Sequence, residues 1–311
     1  MKSYIEALSS KDPLDHQKAL RSAKADGGLE ALLNLFSISQ NGTFEGPIPW
    51  NDQLAQIIVP RYSSAQSHLT LDGQHNFTNT SWLTCFENLR TIDITGNFSD
   101  VTIDLNEVNK NSNVKIKGVD IDDAEIGRLR GLFSDEIEAI SLHSVCIYDL
   151  EQPKSRWGKN LRILNWTVCG TALNFYRFSS EMPLEWLRLD DCPVPKHYSK
   201  VLKSGFRSLQ IDAEQLTALV KKLGLSKFKK MHLEDLFLVG STNLKDVHQL
   251  VKLFRPKELY LHGGFYHQLA DGSWDVQEFM KLLPDPPCKI VFPSYHFHTS
   301  FFPEGSGYMI G

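Results

Sequence analysis

Ten short phrases, each with two apolar residues flanking one variable position, recur along this chain from residue 69 onward. They are HLTLDG, LRTIDITGN, NVKIKGV, IEAISLHSV, LRILNWTVC, LEWLRLDDC, FRSLQIDA, FKKMHLEDL, KELYLHGG and CKIVFP. Their final apolar residues are Leu71, Ile94, Ile116, Leu142, Trp166, Leu189, Ile211, Leu233, Leu261 and Phe292, separated by steps of 23, 22, 26, 24, 23, 22, 22, 28 and 31. An apolar-x-apolar triplet places two side chains on one face of a strand and the third on the other. A lone strand so short cannot bury its apolar face. Stacked copies about 4.8 Å apart make a parallel ladder with one extended core. Eight of the nine steps fall within the roughly 20–29 residues of a known class of stacked repeat.

In LEWLRLDDCPV, Leu184, Leu187, Leu189 and Cys192 follow L-x-x-L-x-L-x-x-N/C, as do Leu89, Ile92, Ile94 and Asn97 in LRTIDITGN. On these residues the chain resembles the leucine-rich repeat family in an irregular form. The copies around Ile211 and Leu233 lack the Asn or Cys, and the copy around Ile116 lacks the first Leu. The resemblance implies an α/β solenoid, a horseshoe with a parallel β-ladder on its concave face and a mixed helical and irregular convex face. Three segments are expected: a helical N-terminal cap over 1–65, a solenoid of about nine to ten repeats over 66–292, and a closing segment over 293–311.

The returns between phrases divide into two kinds. AEIGRLRGLF, AEQLTALVKKLG, NLKDVHQLVKLF and VQEFMKLL have helical apolar spacing, with Gly224 as a C-terminal cap. SDVTIDLNEV and YDLEQPKSRWGKN read as extended or irregular. The N-terminal helices are SYIEALSS, DPLDHQKALRSAKA and GGLEALLNLFSIS, punctuated by Pro13 and Gly27-Gly28, with Asp12 or Asp15 as a cap.

Composition narrows the function. Thirty-three basic residues against 37 acidic ones give a charge of −4, which argues against a general nucleic-acid coat or a polybasic membrane binder. No apolar run reaches the roughly 18 residues of a spanning helix, and the start resembles no export signal. The expected compartment is the cytoplasm. Asn-x-Ser/Thr triplets at Asn41, Asn76, Asn79, Asn97 and Asn165 point the other way, toward glycosylation in an exported chain. Export signals are the stronger criterion.

No phosphate loop, zinc-protease helix or nucleophile elbow occurs, and no cofactor or metal is expected. Cys146, Cys169 and Cys192 are spaced 23 and 23 apart, which suits the small buried position after each strand better than a disulfide or metal site. His296 and His298 form an i, i+2 pair without a third ligand nearby, and Asp120, Asp122 and Asp123 read as capping a following helix.

Function is therefore sought on the outward positions of the ladder. The middle column is Asp93, Lys115, Ser141, Asn165, Arg188, Gln210, His232 and Tyr260. The last is Thr95, Lys117, His143, Thr167, Asp190, Asp212, Glu234 and His262, and the first includes Trp186, Lys230 and Glu258. Asp190, Asp212 and Glu234, with Asp191 and Asp235 beside them, predict an acidic stripe that receives Lys or Arg from a partner. Trp186 and Tyr260 flank it as anchors, and Arg188, Gln210, His232 and His262 complete the surface. A local alternative is that Asp212 caps the helix that follows, and that Arg188 or Lys230 neutralises its neighbours. The expected function is a non-catalytic protein-binding module, for instance an immunity or inhibitor protein against a basic toxin or nuclease. The alternatives are a scaffold or host-targeting effector and, lastly, an enzyme built from scattered His, Asp and Glu.

Overall fold

The computed structural model describes residues 1–10, 12–111, 115–153, 156–179, 181–203, 205–228, 231–275 and 288–291. The chain is an α/β protein that divides into two compact units, Met1–Asn160 with Cys169–Thr171, and Leu161–Val168 with Ala172–Gly311. Each contains parallel strands in an open sheet.

The first unit opens with helices α1 (Lys2–Leu8), α2 (Pro13–Ala25) and α3 (Leu29–Leu33). Of the two candidate caps, Asp12 holds the start of α2, its carboxylate accepting the Leu14 N–H at 2.9 Å with Pro13 at the first helical position. The hairpin β1 (Ser37–Ile38) and β2 (Phe44–Glu45) follows. Asn51 then caps α4 (Asp52–Ile58), its Oδ1 accepting the Leu54 N–H at 3.0 Å.

Strands β3 (His68–Asp72), β4 (Thr91–Asp104), β5 (Gly118–Arg130) and β6 (Ala139–His143) stack in register. Leu69, Ile92, Val119 and Ile140 align, as do Leu71, Ile94, Ile121 and Leu142. All eight are buried. The free edge of β3 is covered by the hairpin turn, where the Gly42 carbonyl accepts the Thr70 N–H at 3.1 Å. Gly42 has φ +77, and a Cβ there would lie 2.4 Å from the His68 carbonyl oxygen, so this closure requires glycine.

Two expectations fail at the third rung. The strand pair is Val119 and Ile121, not a pair ending at Ile116. Ile116 is also buried, but in the loop, where its N–H binds Asn109 Oδ1 at 2.9 Å. The next N–H groups, of Lys117 and Gly118, bond Arg90 O and begin the ladder. AEIGRLRGLF is likewise not helical: residues through Arg130 continue β5. Ala124, Ile126 and Leu129 are buried along it, and its second half pairs with β4 and with β7 (Cys146–Leu150). Asp120, Asp122 and Asp123 therefore lie in a strand and cap nothing, and Asp123 takes φ 45 where the register shifts. Helix α5 (Leu105–Asn111) follows the extended return of β4.

The second unit stacks β8 (Ile163–Thr167), β9 (Trp186–Asp190), β10 (Ser208–Asp212), β11 (Asp235–Val239), β12 (Glu258–Leu261) and β13 (Lys289–Val291), all parallel. Helices α6 (Ala213–Leu223) and α7 (Leu244–Phe254) return the chain, burying Leu216 and Val220, and Val247, Leu250, Val251 and Phe254. Both match the expected amphipathic segments, and Gly224 ends α6 at φ 80. Helix α8 (Gly264–Ala270) follows β12.

The eighth phrase is also corrected. Its strand pair is Leu236 and Leu238, not one ending at Leu233. Leu233 is buried beneath α7, its N–H bonded to Phe254 O at 3.2 Å. With Ile121 and Leu238 in place, the steps from Leu71 to Leu261 become 23, 27, 21, 24, 23, 22, 27 and 23, all within the roughly 20–29 range.

Among the cysteines, Cys169 and Cys192 are buried thiols, whereas Cys146 opens β7 and is exposed, so it does not share their position. Asn113, Lys230, the expected helix VQEFMKLL, Phe292, His296, His298 and the closing segment 293–311 lie outside the described residues.

Candidate functional site

The outward row along the middle of the second unit's ladder runs Asn165, Arg188, Gln210, Phe237 and Tyr260 in direct register. Phe237 and Tyr260 stack face to face at 4.0 Å between centroids with 11° between planes. Trp186, one row over on β9, meets Phe237 at 5.3 Å. Strand β10 lies between β9 and β11, so these two rings meet above it and bury its outward residues Ser208 and Gln210. The rings pack on one another instead of surrounding a void. They make a half-buried ridge, not a cage for a cation.

Beside the ridge lies a recess of about 440 Å³ lined by Arg188, Asp190, Gln210, Phe237, Val239, Tyr260 and His262. Asp190 accepts from Gln210 Nε2 at 3.1 Å and faces Arg188 at 3.6 Å. Burial holds the His262 imidazole below its ordinary pKa and Arg188 adds to the effect, while Asp190 opposes it. Tyr260 donates its hydroxyl to Glu258, which also pairs with Lys289 at 3.0 Å. That bond, with partial desolvation, pushes the Tyr260 phenol up to about 12, and the same bond with Lys289 holds Glu258 below the usual carboxylate value. Two buried polar atoms on this row, Arg188 Nε and Asn165 Oδ1, have no hydrogen-bond partner among the described residues.

The acidic stripe is not formed. Asp212 turns to cap α6, accepting the Gln215 N–H at 2.8 Å. Glu234 precedes β11 and pairs with Lys257 at 3.1 Å. Val239 occupies the column position expected for Glu234, and Phe237 that expected for His232. Asp235 starts β11 and accepts from Ser208 Oγ at 2.7 Å, and Asp191 is exposed at φ 45 after β9. His232 lies away from the recess, lining a different cavity with Leu225, Gln249, Lys252, Leu253 and Arg255. Trp186, Arg188, Asp190, Gln210, Tyr260 and His262 do gather on the face as expected. Phe237 and Val239 were missed because the strand was placed five residues early; DLFLVG, directly after HLE, carries the same alternation and was the available signal.

The first unit presents a different outward surface. Thr70, Asp93, Asp120 and Ser141 are in register, with Asp72, Thr95, Asp122 and His143 alongside. The positions expected to hold Lys115 and Lys117 hold Asp120 and Asp122, so the corrected register reverses the sign of charge. Partial desolvation and neighbouring Asp93 raise the Asp120 pKa, and His68 pairs with Asp93 at 3.1 Å.

Comparison with protein-family profiles, curated proteins and solved structures finds no match to this chain. Among the described residues, no helix is long and apolar enough to cross a membrane.

Proposed function

We propose that this chain is a leucine-rich-repeat-like solenoid that acts as a protein-binding module through the outward face of its ladder. The observation that carries the reading is the ridge of Trp186, Phe237 and Tyr260 beside a recess of about 440 Å³. Half-buried aromatic side chains next to a pocket are the usual energetic centre of a protein interface. The unpartnered Arg188 Nε and Asn165 Oδ1 support the same face, since a partner or water that bonds them relieves a desolvation cost of about 1–3 kcal/mol each.

The partner we propose is basic. Asp72, Asp93, Asp120 and Asp122 crowd the outward surface of the first unit's ladder, and a cation from a partner would offset their mutual repulsion. An inhibitor or immunity protein against a basic toxin or nuclease fits this chemistry, with a scaffold as the alternative within the class. The test is affinity capture from native lysate followed by reconstitution with the purified partner. A one-to-one complex lost in a folded W186A/F237A/Y260A variant supports the reading; a partner held equally by that variant overturns the choice of face.

A further inference from the structure

The largest cavity among those described lies wholly within the first unit and has no part in the ladder face. It has a volume of about 660 Å³, inside the range of about 300–1,000 Å³ typical of small-molecule sites. Its walls come from α2, α4, the loop after β3 and residues 97–101 of β4. The geometry points to a binding site here for an uncharged, polyhydroxylated ligand, a short saccharide.

The lining selects against anions. Among the described residues no Lys or Arg lines it, while the exposed carboxylate of Asp100 does, so an anion would enter without a described partner for its charge. The buried carboxylate of Asp52 is committed: it accepts the Thr78 N–H and hydroxyl and the Asn79 amide, and so braces the loop wall. Amides dominate what remains. Gln56 and Asn76 line the cavity, and among the described residues neither side chain has a hydrogen-bond partner. An amide offers donors and an acceptor together, the pairing that a sugar hydroxyl also presents.

His75 adds a donor of fixed identity. Its Nδ1 accepts the Trp50 N–H at 3.1 Å, so the neutral ring must carry its proton on Nε2. Burial keeps that ring below its ordinary pKa and hence neutral. Phe77 and Phe98 supply apolar wall for the C–H face of a sugar ring. Phe77 is locked in an aromatic cluster, 5.4 Å from Phe44 and 4.8 Å from Trp82, so that wall is built before any ligand arrives. Asn76, Asn79 and Asn97, which head three of the Asn-x-Ser/Thr triplets, all line this cavity. The amide and hydroxyl richness of that stretch is thereby given a use.

The experiment is saturation-transfer NMR and calorimetry on the full chain with maltotriose, cellotriose, chitotriose and mannotriose, with citrate and adenosine as charged and aromatic controls. At least one trisaccharide is expected to bind. The Q56A/N76A double variant, whose side chains make no hydrogen bond among the described residues, is expected to weaken it by about tenfold, the loss of two ordinary hydrogen bonds. F237A is expected to leave it unchanged, which separates this site from the protein-binding face. Failure of all four sugars to bind overturns the proposal, as does binding that the double variant leaves intact, or citrate or adenosine binding in their place.

Discussion

The two ladders share their inward chemistry and differ in everything that faces out. In the first unit, Leu69, Ile92, Val119 and Ile140 stack as Leu187, Leu209, Leu236 and Leu259 do in the second. Outward, the first presents Thr70, Asp93, Asp120 and Ser141, small or acidic, while the second presents Arg188, Gln210, Phe237 and Tyr260. Returns differ too: β4 and β5 bend and pair again along their second halves, whereas α6 and α7 return the second unit. Inward side chains are constrained by close packing and outward ones are not, so the surface is free to vary over a constant core.

The shared core gives the largest expected effects. Ile121→Ala and Leu238→Ala, one in each unit, are each expected to cost about 2–5 kcal/mol in denaturant unfolding, since both residues are fully buried. A Leu238→Ala variant as stable as the parent would return the eighth rung to the residues before Asp235. On binding, the difference between the outward faces predicts a split. W186A/F237A/Y260A should weaken a reconstituted complex by more than about 100-fold at any salt. D93N/D122N should weaken it by about tenfold or less and only at low ionic strength. Equal losses at all salt concentrations would erase the distinction.

Capping supplies a smaller test. Asp212→Ala is expected to destabilise the chain by about 1 kcal/mol, whereas Glu234→Ala, which breaks only an exposed pair, should cost less than about 0.5 kcal/mol. A reversed order would restore the acidic column.

The smallest effect concerns Asp120. Its pKa in the folded chain lies above the unfolded 3.8, so the ionised group opposes folding at neutral pH. As pH falls through the folded pKa toward 3.8, the native state takes up the proton first and the cost is relieved. Asp120→Asn should therefore stabilise the chain by a few tenths of a kcal/mol at pH 7, after discount for exposure. Thermal melts at pH 7 and pH 4 should show that advantage narrowing with acid, and an unchanged advantage would exclude the linkage.

Much of the ladder was legible because an apolar-x-apolar triplet buries two side chains wherever it forms a strand. Eight of the ten phrases coincide with strands, and the helical segments of α6 and α7, the Asp12 cap and the Gly224 stop fall where the sequence placed them. The misplaced rungs each had a rival of equal pattern. Val114-Lys-Ile116 competes with Val119-Asp-Ile121, and Met231-His-Leu233 with Leu236-Phe-Leu238. AEIGRLRGLF fits helical spacing as well as the alternation of β5, and burial of Ala124, Ile126 and Leu129 against neighbouring strands chose the latter. The site was legible to the same extent: six of its residues were placed, and Phe237 and Val239 were lost with the register. The first unit's cavity was not anticipated: the triplets at Asn76, Asn79 and Asn97 read as glycosylation acceptors, and α2, α4 and residues 97–101 meet only in space.

Local alternation and spacing, which depend on neighbours two to four positions away, were enough to determine a parallel α/β ladder with helical returns in its later part. Register was decided only by the folded chain. Hydrogen bonds from Lys117 and Gly118 to the Arg90 carbonyl, and from Glu234 and Asp235 to that of Arg207, select one apolar triplet over its rival. A slip of five residues reverses which side chains face outward. The charge and aromatic character of the outward face therefore rest on contacts between residues more than 25 apart in sequence, which no local pattern contains.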